Sequence, residues 1–204
     1  MSVVEGPRAT GLVARVQGIL MKPAAEWNVI EGEPATIPGL FTGYACILAA
    51  IGPVAVIVQH LVFIRWTLPL IVIGAVVGYI LSLIGVYVVG FIIDALAPSF
   101  DAQKNPVQAM KVAVYSYTAS WVAGILNIVP ILGILAIIAA FYGLYIFWLG
   151  LPPLMKVPQE KAAGYAIVTV IVAIVINVVV AMIGVAIIGA FTAGAILTGA
   201  SAFH

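Results

Sequence analysis

The chain has 204 residues, of which 65% are hydrophobic and only 7% are charged, and its formal net charge is +1. Soluble domains carry about 25% charged residues, so this chain cannot cover a water-exposed surface and its solvent must be lipid. The composition therefore predicts an all-α, polytopic transmembrane helical bundle, and the small net charge gives no support to a nucleic-acid partner.

Residues 1–36 are predicted to form a cytoplasmic segment that contains an amphipathic helix over about residues 8–22. Five apolar residues share one face of that helix: Leu12, Val13, Val16, Ile19 and Leu20. Arg8, Arg15 and Lys22 recur every seven residues along one edge of this face. The pattern is typical of an interfacial helix whose basic side chains reach lipid phosphates. A short helix packed on the loops is the alternative.

The residues after this helix are expected to lie at the membrane interface or in solvent. Trp27 is of a residue type that favours the interface. The acidic residues Glu26, Glu31 and Glu33 precede Pro34, which is typical of a solvated linker. This linker leads into residues 37–204, which we interpret as the transmembrane domain.

Five apolar runs are long enough to cross a hydrocarbon core of about 30 Å. They cover about residues 38–64, 67–93, 112–129, 131–149 and 163–189. Pro130 and Gly133 separate the third span from the fourth, because one helix over both would be about 57 Å long at ~1.5 Å per residue. Residues 164–204 hold no charged residue and fit one span or two. Their small-residue tail favours one.

The basic residues distribute unevenly between the two sides of a five-span protein. One side holds Arg8, Arg15, Lys22, Lys104, Lys111, Lys156 and Lys161. The other side holds Arg65 alone. The excess of positive charge marks the cytoplasmic side, so the N-terminus is predicted to be cytoplasmic and the C-terminus to lie outside.

Small residues form stripes in three of the predicted spans, a pattern typical of close helix packing. The stripes are Gly74, Gly78, Ser82 and Gly85; Ala113, Ser116, Ser120, Ala123 and Asn127; and Ala166, Ala173, Asn177, Ala181 and Gly184. Packing within the bundle explains them, and a homo-oligomer interface is the alternative.

Few polar residues are predicted at membrane depth: Tyr87, Asp94, Asn127 and Asn177. Asp94 ends the second span, where a carboxylate needs a partner. We favour a structural role, either in an ion pair with a lysine of the same side or at the helix end, and a proton or ion relay is the sharper alternative. Asn177 lies deepest and is expected to hydrogen-bond to a facing helix.

An elbow is predicted where the fourth span ends. Gly150, Pro152 and Pro153 do not continue a regular helix, and freed backbone groups in lipid cost several kcal/mol unless protein covers them. The elbow should therefore pack on the loop between spans two and three. The candidate functional surface around it comprises Asp94, Lys104, Lys111, Tyr142, Tyr145, Gly150, Pro152, Pro153, Lys156 and Lys161.

The sequence lacks known catalytic, metal-binding and phosphate-binding motifs. His60 and His204 lie far apart, and Cys46 is the single cysteine of the chain. No Ser–His–Asp set, HExxH, CxxC or Gly-rich phosphate loop is present. The sequence thus predicts no catalytic residue, no metal ligand and no cofactor.

An ordered set of residues invites comparison with a known family. The set is Asp94 with Pro98, Tyr115 with Ser116, Pro130, Tyr142-Gly143-Leu144-Tyr145, Gly150 with Pro152, and Lys161 with Tyr165. It resembles the bacterial branch of the Yip (Ypt/Rab-interacting protein) family. The resemblance implies a five-span protein of a bacterial inner membrane, with a cytoplasmic N-terminus. Eukaryotic relatives act in vesicle trafficking, which a bacterial cell lacks, so the resemblance defines architecture more than function.

Two functions remain open at this point. The first is a non-enzymatic membrane protein that acts in membrane organisation, lipid binding or scaffolding. Its partners would be the bilayer and its anionic lipids, a second copy of the chain, or other membrane proteins. The alternative is a small channel or transporter that uses Asp94 and Asn177.

Overall fold

The computed structural model describes residues 11–63 and 68–201, and every regular element within them is helical. Its main helices are α1 (Leu12–Met21), α2 (Pro23–Gly32), α3 (Ile37–Phe63), α4 (Leu68–Leu96), α5 (Pro106–Ser116), α6 (Thr118–Ala123), α7 (Leu135–Met155) and α8 (Gln159–Ser201). Among the described residues, four helices are long and apolar enough to cross a membrane, and they are α3, α4, α7 and most of α8. The predicted helical membrane bundle is confirmed.

The third predicted span is helical but broken. Helix α5 ends at Ser116, α6 follows from Thr118, and two 3₁₀ turns continue the chain at Gly124–Ile128 and Pro130–Ile134. Between those turns Val129 is extended, so the chain does break next to Pro130 as predicted. Helix α5 is buried from Ala109 onward, whereas Ile125, Val129 and Ile131 in and between the 3₁₀ turns are exposed.

Helix α7 does not end before its prolines. It continues through Pro152 and Pro153 to Met155, so the prediction that these prolines stop the helix is wrong. The two prolines leave only the carbonyls of Trp148 and Leu149 without their usual donors. Packing of the last turn offsets that loss, because Leu151, Leu154 and Met155 are buried.

The elbow begins at Lys156, three residues after Pro153, the last proline of the predicted break. Lys156 has a left-handed backbone with φ of 53° and terminates α7. The backbone N–H of Gln103 donates to the carbonyl of Met155 at 2.8 Å. Phe100 stacks on Tyr165 at 5.0 Å between ring centroids. The elbow is therefore packed on the segment between α4 and α5, as predicted.

Helix α8 runs without interruption from Gln159 to Ser201, which agrees with one span and a tail. It packs on α4 through small residues of both helices. A Cβ on Gly85 would lie 3.4 Å from the Asn177 Oδ1 atom, and one on Gly184 would lie 2.9 Å from a methyl carbon of Leu81. The α4 stripe thus serves close packing inside the bundle.

Helices α1 and α2 form a cap over the end of the bundle that carries most charges, which we call the charged end. Trp27 of α2 is fully buried and its indole N–H donates to the carbonyl of Ile146 at 3.0 Å. Its ring occupies the space above Gly150, where a Cβ would lie 2.7 Å from two indole carbons. Glycine at this position lets the indole approach the backbone of α7.

The variant Gly150→Ala should destabilise the fold. Its methyl group collides with the Trp27 ring, and overpacking of this kind costs about 1–3 kcal/mol. The thermal midpoint in detergent should fall accordingly. Gly189→Ala is the matched control, because a Cβ there meets nothing within 4 Å. A midpoint that rises equally in both variants, from helix propensity alone, would contradict the packing of Trp27 on Gly150.

Candidate functional site

The first candidate site is a buried ionic cluster under the cap. Arg15 is 4% exposed, and its guanidinium donates to the carboxylates of Glu26 and Glu33. The same group lies over the Tyr115 ring, 5.7 Å from its centroid. The prediction that Arg15 contacts lipid phosphates is wrong, because two carboxylates satisfy its charge inside the protein.

Two further predictions for this segment need correction. Trp27 was expected at the lipid interface and is instead in the core. Glu26 and Glu33 were expected to be solvated and instead hold Arg15. Ile19 of α1 packs on the protein, whereas Val13 of the predicted apolar face is 68% exposed and Met21 is 78% exposed, so only part of that face is covered by the bundle. Arg8 lies outside the residues that the structure describes.

Lys111 is the second buried cation at the charged end. It is 2% exposed and donates from Nζ to the backbone carbonyls of Ile30 and Glu33. Burial lowers the pKa of its ammonium group below the ordinary value, while the Glu33 carboxylate opposes that shift. Lys111 therefore ties α5 to the end of α2 and is not available to a soluble ligand.

The remaining predicted surface residues do not form one site. Lys156 pairs with Glu31, and Lys161 pairs with Asp101, both at exposed positions. Lys22 and Lys104 are exposed. Tyr142 donates its hydroxyl proton to the carbonyl of Leu20 at 2.7 Å, whereas Tyr145 is half exposed beside it. The structure distributes these side chains between the cap and the bundle surface.

Asp94 has no ion-pair partner within the described part of the chain. It is 6% exposed, and its Oδ1 atom accepts no hydrogen bond. Among the lysines of that side, Lys156 and Lys161 pair with other carboxylates, Lys111 contacts carbonyl groups and Lys104 is exposed. The predicted ion pair is therefore wrong, whereas the predicted helix-end position agrees with the structure, because α4 ends at Leu96. The neighbouring hydroxyl group of Tyr165 donates to the carbonyl of Ile93 instead.

The second candidate site is a lateral groove among α5, α6, α7 and α8, with a volume of 640 Å³. Residues of two predicted stripes line it: Ala113, Ser116, Ser120, Ala173, Asn177 and Ala181. Its rim carries exposed apolar side chains, among them Phe141 at 65% and Ile174 at 58% exposure. The two stripes thus leave space between helices, where the sequence suggested close packing.

The polar residues that line the groove are Ser116, Tyr117, Ser120, Thr169 and Asn177. Ser116 is 6% exposed and Thr169 is 1% exposed, and both residues line the groove. The Oγ atom of Ser116 and the Oγ1 atom of Thr169 have no hydrogen-bond partner. Asn177 also lines the groove, with Nδ2 donating to the carbonyl of Ala173 at 2.7 Å. The groove can accept an apolar molecule, and the Ser116 and Thr169 hydroxyl oxygens are closed off from it.

Sequence reasoning placed some of these residues and missed others. Ser116 and Asn177 were identified as stripe members, but Thr169 was not singled out. Thr169 lies eight residues after Lys161 in an apolar run, and its only signal is a hydroxyl group at membrane depth. The other intramembrane candidates lie away from the groove, with Tyr87 half exposed against Phe41 and Asn127 half buried in a 3₁₀ turn.

These features define an integral membrane protein built as a helical bundle. A family model described as the Yip1 domain matches residues 18–181. The chain belongs to the Yip1 domain family, as the resemblance predicted. It is also similar to the inner membrane protein YohC of two Escherichia coli strains, K12 and O6:H1, at 23% identity over 178 residues. The similarity covers 80% of this chain and 90% of YohC. No solved structure matches the chain.

Replacing Arg15 by methionine should strongly destabilise the protein. The variant keeps the apolar stem but leaves Glu26 and Glu33 without their cation. Breaking a buried pair in this way costs about 3–5 kcal/mol. The thermal midpoint in detergent, measured at neutral pH, should fall well below that of the wild type.

Lys156→Met provides the control for Arg15→Met. It breaks the pair with Glu31, whose side chains are 44% and 34% exposed. Exposed pairs contribute about 0–1 kcal/mol, so the midpoint should change little. Equal losses in the two variants would refute a structural role for the buried cluster.

Proposed function

We propose that this protein is a non-enzymatic organiser of the membrane that works by holding bilayer lipid in its lateral groove. The observation that carries the proposal is the groove itself, an apolar cavity of 640 Å³ with an open side. Sites for small molecules have volumes of about 300–1,000 Å³, are mostly apolar, and carry a few placed polar groups. The groove has each of these properties.

Lipid is the occupant that the surroundings of the groove supply. Ile137, Phe141 and Ile174 line the groove and are each more than half exposed. In a transmembrane bundle, exposed side chains of this kind contact acyl chains. A chain that leaves the bilayer for the groove exchanges one apolar environment for another, so shape and the few polar contacts decide which lipid binds.

The proposal includes an orientation. We place the charged end in the cytoplasm of a bacterial inner membrane, because basic residues favour that side and the relative YohC is named an inner membrane protein. Lys22 and Lys104 are exposed at this end. Each would contact the anionic headgroups of the cytoplasmic leaflet, an attraction of about 1 kcal/mol per basic residue.

A channel or transporter is supported less well by the described residues. Such a protein needs polar groups that share one path. Asn177 lines the groove, whereas Asp94 is not among its lining residues. Asp94 follows Gly85 by nine residues on α4, about 13 Å along the helix axis, and it is Gly85 that contacts Asn177. The two candidate residues therefore belong to different environments.

Lipid retention tests the proposal. Ala181 lines the groove and is exposed within it, so Ala181→Phe should fill the groove without disturbing the core. The purified variant is expected to retain several-fold less phospholipid than the wild type after extensive detergent washing. Native mass spectrometry measures the bound lipid directly.

The matched control is Ala186→Phe on the same helix. Ala186 is exposed and is not among the residues that line the groove. This variant should retain lipid like the wild type, and both variants should have unchanged helical content and thermal midpoints. Equal retention in Ala181→Phe and Ala186→Phe would contradict the groove as the lipid site.

A further inference from the structure

The corner between α1 and α2 is a tight turn with exposed side chains. Helix α1 ends at Met21, α2 begins at Pro23, and Lys22 alone joins them. The backbone N–H of Lys22 donates to the carbonyl of Gly18 at 2.8 Å, and Pro23 is buried. The Met21 side chain is 78% exposed, and Lys22 is exposed as well. The corner therefore presents one apolar and one basic side chain next to each other.

The lengths of α3 and α4 locate the edge of the hydrocarbon core that lies nearest the charged end. At the opposite end of the bundle, the connection between these helices contains Arg65 and Trp66, residue types that favour a membrane boundary. A core about 30 Å thick takes about 20 helical residues. Counted from that connection, this length of α3 reaches Tyr44, and the same length of α4 reaches Tyr87. Tyr87 is half exposed, as is usual for a tyrosine at the interface.

Contacts inside the bundle relate this level to α7. The Tyr115 ring lies 4.8 Å from the Tyr44 ring and 6.2 Å from the Trp27 ring, measured between centroids. The indole N–H of Trp27 donates to the carbonyl of Ile146. The edge of the core therefore crosses α7 near Ile146. Trp148, which follows on α7, is half exposed, a position typical of an interfacial aromatic residue.

The corner lies on the membrane side of this level. Tyr142 precedes Ile146 by about one helical turn and is thus about 6 Å farther from the charged end. The Tyr142 hydroxyl group donates to the carbonyl of Leu20, two residues before Lys22. This depth places the Met21 side chain among acyl chains. The flexible four-carbon stem of Lys22 carries its ammonium group back to the level of the headgroups.

The charge of Lys22 has no ion-pair partner within the described residues. The three glutamates of α2 and its end pair with Arg15 and Lys156 instead. A cation at the edge of hydrocarbon needs an anion, and lipid phosphates are the anions that a bilayer supplies at this level. An anionic headgroup attracts a lysine more strongly than a zwitterionic one does, since a zwitterion carries its own ammonium group.

We propose that the α1–α2 corner inserts into the leaflet at the charged end and binds an anionic phospholipid. The Lys22 ammonium group contacts the phosphate, and the Met21 side chain lies beside the acyl chains. None of residues 20–23 is among the residues that line the lateral groove. This site is therefore separate from the groove and gives the cap its own contact with the membrane.

The depth of the corner is measured with a nitroxide label on the full chain in nanodiscs of phosphatidylethanolamine and phosphatidylglycerol. Cys46→Ala removes the native thiol, and the label is attached in Met21→Cys or, as the control, in Asn28→Cys. Asn28 is exposed farther along α2, toward the charged end. The label at position 21 should be accessible to oxygen and protected from a water-soluble nickel chelate, and the label at position 28 should show the reverse. Equal access of the nickel chelate to both labels would overturn the insertion of the corner.

The choice of lipid is tested by native mass spectrometry of protein released from the same nanodiscs. The preference for phosphatidylglycerol over phosphatidylethanolamine reports the corner, because the groove is lined mostly by apolar side chains. Lys22→Gln should lower this preference about fivefold, the equivalent of about 1 kcal/mol for one basic residue near the membrane surface. The thermal midpoint should not change, because Lys22 is exposed and unpaired.

Lys161→Gln is the matched control for Lys22→Gln. It removes the same charge from the same end, but from an exposed pair with Asp101. This variant should keep the lipid preference of the wild type. An equal loss of preference in the two variants would mean that overall charge attracts the lipid, and it would overturn the corner as a binding site.

The corner and the groove are tested independently. Lipid retention that depends on Ala181, together with a label at position 21 that lies in water, overturns the corner and leaves the groove in place. An inserted label and a preference that depends on Lys22, together with retention that is insensitive to Ala181→Phe, overturn the groove and support the corner.

Discussion

The contact between Trp27 and Gly150 determines how the charged end is built. An indole can approach the α7 backbone only where a side chain is missing, and its N–H then donates to the carbonyl of Ile146. This contact fixes α2 over the bundle. With α2 in place, Glu26 and Glu33 reach Arg15, and the carbonyls at its end reach Lys111. The cap is therefore an integral part of the bundle.

The charged end and the membrane-embedded part of the bundle have different structural roles. At the charged end, ion pairs and carbonyl contacts hold loops and helix ends in a fixed arrangement. At membrane depth, the small side chains of α5 and α8 do not fill the space between these helices, and a groove remains. A rigid end and an accommodating middle suit a protein that binds lipid from the side and keeps its own shape.

The spans could be predicted from the sequence because a backbone in lipid must satisfy its hydrogen bonds within the protein. Apolar runs of sufficient length must be helical when no water can satisfy their N–H and C=O groups. The break near Pro130 and the packed elbow followed from the same constraint. The end of α7 was harder to predict, because burial of Leu151 and Met155 offsets the bonds that Pro152 and Pro153 remove. That burial depends on distant helices.

The candidate sites could be predicted only in part. A helix with an apolar face and basic residues at its edge can lie on a bilayer or pack on a protein surface. The pattern of α1 therefore could not show that Arg15 contacts protein rather than lipid. Its partners lie 11 and 18 residues further along the chain, in α2 and at its end. The periodicity of α1 alone could not indicate them. Stripes of small residues likewise do not reveal whether the facing helix is close. The groove emerges from the spacing of α5 and α8, which no local pattern encodes.

The buried cluster has a consequence for how this family can diverge. Arg15 pairs with both Glu26 and Glu33, so the loss of Arg15 leaves two carboxylates without this cation, whereas the loss of one glutamate leaves a single ion pair. Concerted replacement of all three residues by apolar residues can be neutral. Relatives that keep both carboxylates should therefore also keep the arginine. Conservation of the basic residue in α1 is therefore expected to follow conservation of two acidic residues, one within α2 and one at its end.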